Sequence, residues 1–306
     1  MEITAALVKE LREATGAGMM DCKRALVEAD GNMEAAVDVL RTKGLADLAK
    51  KSGRATNEGT IGGLTTADGA VGVLVEVNCE TDFVARNANF KTLVADIAGQ
   101  IAANGAEDVA ALMAQPFVAR PEITMQELLG EAVGKLGENM GLARFVRYDL
   151  STDTGVIAVY IHGVGNIGVL VEVSADSEAA AASDAALAFA KDVAMQIAAA
   201  SPISVRREEV PADAVAHELS IYKAQAAETG KPEPIQQKIA EGRLDKFYKE
   251  FCLLEQSFVK NPDITVKQYA DECGKSAGGA LNVVRFVRMV LGETSRVEKT
   301  DSSCCC

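Results

Sequence analysis

The chain repeats itself at two different offsets, and this limits its fold more than any other feature. Gly59–Ala103 lies over Gly155–Ala199 without a gap, and 16 of 45 positions are identical. The matches include the run GVLVEV (Gly72–Val77 and Gly168–Val173) and the pattern D-x-A-x-QIAA (Asp96–Ala103 and Asp192–Ala199). Further on, Pro116–Leu150 lies over Ser257–Leu291 at an offset of 141 rather than 96, with 12 of 35 positions identical. The tetrapeptide Arg-Phe-Val-Arg recurs there, as Arg144–Arg147 and Arg285–Arg288. The change of offset requires 45 extra residues in the second copy, between Ala199 and Ser257. A duplicated unit with one insertion is expected, its copies packed about a pseudo-two-fold axis that buries the faces each would otherwise expose.

Periodicity fills in the unit. Ile61–Thr66, a turn at Ala67-Asp68-Gly69 and Val71–Asn78 predict a β-hairpin. A helix over roughly Asn87–Ala103 follows, with Phe90, Leu93, Val94, Ile97 and Ile101 on one face. A short element at Pro116–Val118, a helix near Thr124–Leu136 and a strand at Ala143–Leu150 complete it. In the insertion, Val215, Leu219, Tyr222 and Ala226 have the spacing of a coiled-coil seam. Gly230-Lys231-Pro232 is the turn, and Leu244, Phe247, Phe251 and Leu254 form the returning stripe. Two helices of ~18 residues would project ~27 Å, as a partner-contacting or dimerising arm. Ahead of the repeats, residues 1–45 predict three short helices. The first is capped by Thr4 with Leu7, Val8 and Leu11 on one face, and the second is striped by Met19, Cys22 and Leu26. The third follows the turn Asp30-Gly31-Asn32 and carries Ala36, Val37 and Leu40; Leu45–Asn57 then runs as a helix tail into a linker. The expected class is α+β. The expected domains are 1–57 (helical), 58–150 (copy one), 151–200 with 257–293 (copy two), 201–256 (inserted helical hairpin) and 294–306 (tail).

Composition excludes several functions. The net charge of −13 is concentrated as −11 over residues 59–205, which argues against direct nucleic-acid binding because phosphate contacts need clustered Lys and Arg. No apolar run approaches the ~20 residues that span a bilayer, and the N-terminus has no signal-peptide pattern, so no membrane partner and a cytoplasmic location are expected. Seven cysteines form no C-x-x-C pair and only two histidines exist, His162 and His217, so no metal site and no cofactor are expected. The terminal Cys304-Cys305-Cys306 lacks prenylation spacing. Gly163-Val-Gly165-Asn-Ile-Gly168 matches a dinucleotide fingerprint, but Val169–Val173 continues as strand where that fingerprint needs a helix, so these read as hairpin glycines. Gly274-Lys275-Ser276 lacks the earlier glycine of a P-loop, with Tyr269 in its place. Neither histidine has a nucleophile or carboxylate set by a motif, so no enzyme is indicated. The arginines of Arg-Phe-Val-Arg, present in both copies, read as ion-pairing positions of the scaffold.

One difference between the copies points to function. Where the first reads Thr81-Asp82-Phe83-Val84, the second reads Ser177-Glu178-Ala179-Ala180. One copy does without the aromatic, so Phe83 is a candidate for contact with a partner rather than for packing.

Two longer stretches carry a resemblance. Leu11–Leu26 (LREATGAGMMDCKRAL) and Glu76–Arg86 (EVNCETDFVAR) resemble the signature stretches of the bacterial elongation factor Ts family, and the similarity runs from residue 3 to about residue 300. It implies a ubiquitin-associated-like N-terminal domain and guanine nucleotide exchange on elongation factor Tu, the GTPase that delivers aminoacyl-tRNA. Thr81, Asp82, Phe83 and Val84 would then perform the exchange, with Phe83 wedging between two helices of the GTPase and disturbing its magnesium and phosphate site. Asp82, near a helix N-terminus, reads as a cap and orienter. Val8, Lys9 and Arg12 of the first helix and His162 of the second copy are further candidate contacts. The sequence departs from the family pattern where a C-terminal helix usually follows Gly292-Glu293; here Glu298-Lys-Thr-Asp301 leads into Ser-Ser-Cys-Cys-Cys. A homodimeric or 2:2 assembly, or a binding or dimerisation module without exchange activity, is the competing expectation.

Overall fold

The computed structural model describes residues 3–293. The altered C-terminal segment and the cysteine triplet lie outside them. Three helices come first: α1 (Ala5–Thr15), α2 (Met19–Glu28) and α3 (Met33–Lys51). Thr4 caps α1 by accepting from the Leu7 N–H, and Asn32 caps α3 by accepting from the Ala35 N–H. Val8, Leu11, Cys22, Ala25, Leu26 and Ala36 close a small core of their own. Met19 departs from the expected stripe: it is 57% exposed, because α2 turns only Cys22, Ala25 and Leu26 inward. The third helix is longer than expected. It carries Leu48 into the core of the next unit, and crosses a later helix so closely that a Cβ on Gly44 would lie 2.9 Å from the carbonyl oxygen of Gly130.

The first β-unit contains β1 (Glu58–Thr65), β2 (Val71–Cys79), α4 (Asp82–Arg86), α5 (Ala88–Asn104), α6 (Val109–Ala114), β3 (Pro116–Phe117), β4 (Arg120–Thr124), α7 (Met125–Leu136) and β5 (Met140–Asp149). The second contains β6 (Gly155–His162), β7 (Ile167–Ala175), α8 (Glu178–Ala181) and α9 (Asp184–Ala200), then the insertion α10 (Ala212–Ala227) and α11 (Glu233–Phe251). It resumes with β8 (Ser257–Phe258), β9 (Asn261–Thr265), α12 (Val266–Ala277) and β10 (Leu281–Val290). Each unit has a three-stranded antiparallel sheet, ordered β1-β2-β5 in one and β6-β7-β10 in the other. The short hairpins β3–β4 and β8–β9 are held by the glutamine of D-x-A-x-QIAA. The Gln100 Oε1 accepts from the Val118 N–H at 2.8 Å, and the Gln196 Oε1 from the Val259 N–H at 2.7 Å.

The central strands are covered on both faces, which is why GVLVEV is almost continuously apolar. Val73, Val75 and Val77 face α5 and α7, whereas Leu74 joins Ile61, Ile157, Leu170 and Met289 in a layer between the two sheets. The period of a strand puts Glu76 on that second face. Its side chain is wholly buried, as is that of Glu172. Each glutamate is answered by the first arginine of its own Arg-Phe-Val-Arg: Arg144 Nε donates to Glu76 at 2.7 Å, and Arg285 Nε to Glu172 at 2.6 Å. A bulge at Ala143 in β5, and another at Val284 in β10, turns these arginines toward the glutamates.

The same groups reach across to the other unit. Glu76 accepts from the Gly292 N–H at 2.8 Å, and Glu172 from the N–H of Ser151, in the link that follows β5 of the first unit, at 2.6 Å. Arg144 donates to the Val290 carbonyl and Arg285 to the Asp149 carbonyl, at 2.9 and 2.8 Å. The hairpin turns are exchanged too: the Ile61 N–H donates to Gly165 O at 2.8 Å, and the Ile157 N–H to Gly69 O at 3.0 Å. Each of these contacts has a counterpart at the repeat offset. The second arginines serve the helices, Arg147 donating to Ile101 O and Arg288 to Ala198 O in the last turns of α5 and α9.

Candidate partner-binding site

The first candidate stretch follows the end of β2. Thr81, extended at φ −129°, caps α4: its Oγ1 accepts from the Val84 N–H at 3.4 Å. The cap is therefore Thr81 and not Asp82. Asp82 occupies the first helical position and pairs with Arg86 one turn on, at 3.1 Å, with both side chains largely solvated. Val84 points inward and is 9% exposed within the core of the first unit. Phe83, its neighbour, points the other way and is 82% exposed, the most exposed large apolar side chain among the described residues. Behind the stretch, Cys79 donates from Sγ to Thr81 O at 3.2 Å. Burial, with the Glu138 carboxylate nearby, pushes its thiol up to about 12, so it stays protonated and unreactive.

The second unit repeats this geometry without the aromatic. Ser177 caps α8 by accepting from the Ala180 N–H at 3.2 Å, Ala180 is buried, and Ala179 stands exposed where Phe83 stands in the first unit. The scaffold keeps its inward anchor in both places and presents a large apolar group in only one.

The other candidates are placed apart. His162 is exposed at the end of β6, where its Nδ1 lies 2.9 Å from the Tyr160 hydroxyl. The turn after it presents Val164, 69% exposed, and docks on β1, where the Thr60 hydroxyl donates to Val164 O at 2.9 Å. Gly165 permits that approach, since its φ is +98° and a Cβ there would fall 1.8 Å from Thr60 Oγ1. No helix follows these glycines; the chain continues as β7. On α1, Lys9 and Arg12 are exposed, Lys9 pairing loosely with Glu13 at 3.7 Å. Val8 is enclosed with Leu11, Cys22 and Leu26, so its side chain supports α1 from within. Met19 and Met20, 57% and 64% exposed, are apolar surface on α2, although periodicity assigns Met19 to the buried stripe.

Comparison with known proteins decides the family. The family model described as Elongation factor TS matches residues 80–293. The elongation factor Ts of Trichlorobacter lovleyi is 49% identical over 301 residues, 98% of this chain and 96% of that protein. That of Clostridioides difficile is 50% identical over 95% of this chain and 93% of its own length, and that of Clostridium novyi 47% over the same shares. The chain belongs to the elongation factor Ts family. It is thereby a translation elongation factor, and the Phe83 stretch lies within the segment the family model matches. Among the described residues, no helix is long and apolar enough to cross a membrane.

Proposed function

We propose that the chain is a guanine nucleotide exchange factor for elongation factor Tu, acting in the cytoplasm by non-covalent contact, with Phe83 as the group that disturbs the nucleotide site. One observation supports this above the others: a phenylalanine held almost fully in water, on a short helix whose neighbouring Val84 is locked in the core. An exposed Phe has no stabilising role in the free protein, and its apolar surface gains only on reaching a partner. On this reading the β-units are two copies of one ancestral unit, the first three helices form a ubiquitin-associated-like domain, and α10 with α11 forms a coiled-coil arm. Lys9, Arg12 and His162 would add contacts of their own, and the arm would grip another part of the GTPase.

Magnitudes set the division of labour. Burying a Phe side chain contributes about 2–3 kcal/mol. A thousandfold faster release requires about 4 kcal/mol of differential interaction, so the ring triggers release and the wider interface must supply the rest. Coupling is reciprocal, so a factor that weakens nucleotide binding is itself weakened by nucleotide, and incoming GTP expels it.

Release of a fluorescent GDP analogue from elongation factor Tu tests this directly. The chain is expected to accelerate release, and Phe83→Ala to lose most of that acceleration while still binding the GTPase. A chain that binds without accelerating release would be a binding module only, and an unchanged rate for Phe83→Ala would remove the wedge role.

A further inference from the structure

The ring of Phe83 touches little of its own protein, so its direction depends on the backbone of α4. A five-residue helix has no stability of its own. Val84 anchors one side of it. The other support comes from the turn between α7 and β5, where the Glu138 carboxylate takes both donors of Thr81. Glu138 Oε1 accepts from the Thr81 hydroxyl at 2.6 Å, and Oε2 from the Thr81 N–H at 3.0 Å. Thr81 is thus gripped on backbone and side chain by one group while its Oγ1 caps the helix that carries Phe83.

The gripping residue is itself fixed. Gly137, at φ +80°, ends α7 and turns the chain so that Glu138 faces Thr81. Asn139 then donates from its backbone N–H to Glu80 at 2.6 Å and from Nδ2 to Arg54 O at 2.8 Å. Arg54 closes the circuit on Glu80 at 3.3 Å. The carboxylate of Glu138 is therefore placed before any partner arrives.

The second unit shows which part of this belongs to the scaffold. Its turn has the same form: Gly278 lies at φ +78° and the Ala280 N–H donates to Asp176 at 2.7 Å, matching Asn139 on Glu80. At the place of Glu138, however, stands Gly279, packed so that a Cβ would lie 3.3 Å from that of Ala180. The carboxylate grip occurs in the unit that carries the phenylalanine and is absent from the unit that carries alanine. A purely structural need of the turn would be felt equally in both.

We infer that Glu138 is a positioning residue for exchange: by holding Thr81 it orients the first turn of α4 and presents Phe83 in the direction the partner requires. This rests on the wedge reading of Phe83. The grip is formed in the free protein, so its loss affects the step in which the ring acts more than the encounter with the partner.

The test compares wild type, Glu138→Ala, Glu138→Gln, Phe83→Ala and the Glu138→Ala/Phe83→Ala double variant in GDP release from elongation factor Tu. Both the maximal rate and the half-saturating concentration are read. Two charge-assisted hydrogen bonds are removed in Glu138→Ala, so its maximal acceleration is expected to fall about tenfold, with the half-saturating concentration changed less than about threefold. Glu138→Gln, whose amide oxygen still accepts one bond, should recover part of the rate. In the double variant Glu138→Ala should add nothing to Phe83→Ala. Hydrogen exchange should accelerate at the amides of Asp82–Arg86 while the rest of the first unit stays protected. A wild-type maximal rate in Glu138→Ala, or an equal further loss on top of Phe83→Ala, would overturn the positioning role while leaving the wedge intact. Full activity in Phe83→Ala would remove both. If Glu138→Ala does not fold, Glu138→Gln, which keeps the Thr81 cap and loses the carboxylate, carries the same comparison.

Discussion

The two β-units share a frame and differ at one tip. Both bury a glutamate on the central strand, both answer it with an arginine from a bulged neighbour, and each arginine reaches a backbone carbonyl of the other unit. At the tip, Thr81, Phe83 and Glu138 of the first unit stand against Ser177, Ala179 and Gly279 of the second. Contacts present in both units hold the molecule together, whereas contacts present in one are candidates for function. The chain carries its own control, and that control separates stability from activity without any relative.

The strongest way to break the comparison is to attack the frame. Removing one partner of a buried ion pair strands the other, and Glu172→Ala would leave the Arg285 Nε and both the N–H and the hydroxyl of Ser151 without their acceptor. The cost is expected near 3 kcal/mol, at the low end for such pairs because the arginines are partly solvated. Glu76→Ala should cost the same to about 1 kcal/mol, since its bonds are the counterparts. Urea unfolding measures both, and markedly unequal losses would show that the frames are not equivalent.

Next come the caps. Ser177→Ala should cost about 1 kcal/mol of stability, the usual value of a lost N-cap, and leave exchange unchanged. Thr81→Ala should cost more, because the hydroxyl also donates to Glu138, and should slow exchange as well. Thermal unfolding and GDP release on the same two variants check this; slower release in Ser177→Ala would place function in the second tip too.

Much of the frame was legible because burial leaves periodic marks. The α5 face of Phe90, Leu93, Val94, Ile97 and Ile101 is buried throughout, whereas along α10 only Ala226 is buried and Val215, Leu219 and Tyr222 are half-buried. Short elements left no such mark. The six residues of α6 span less than two helical turns, the five of β4 show no alternation of burial, and α4 and α8 are fixed by caps rather than by a stripe. The first arginine of each Arg-Phe-Val-Arg is an ion-pairing position as read, but its partner lay in GVLVEV, where a single acid among valines looked like part of a strand; of the second arginines, Arg147 pairs with Asp149 and Arg288 donates to the Ala198 carbonyl instead. Met19 looked buried because helical spacing gives a stripe but not which end of it reaches water. Phe83 was found by comparing copies. Glu138 was missed, although the same comparison marks it against Gly279; a lone acid after a glycine in an acidic chain has no pattern of its own.

The smallest expected effect sharpens the comparison most finely, at the aspartates of the repeated D-x-A-x-QIAA. Asp192 is satisfied, accepting from Lys260 Nζ at 2.6 Å and from the Tyr269 hydroxyl at 2.8 Å. At the repeat offsets those partners become Ala119 and Leu128 in the first unit, and Asp96 is left with burial that raises its carboxyl above the ordinary range, opposed by the more distant Arg120. A raised carboxyl means that the folded state binds more protons than the unfolded one just above pH 4, so Asp96 costs stability increasingly as the pH rises through its folded value. Asp96→Asn should therefore stabilise the protein slightly at pH 7, and the gain should shrink as the pH is lowered toward about 4. Asp192→Asn should destabilise at pH 7, since it replaces a partnered carboxylate with a neutral amide. Melting temperatures of both variants at the two pH values decide the matter. A gain for Asp96→Asn that does not depend on pH would mean that packing, and not an unpaired charge, distinguishes the two aspartates.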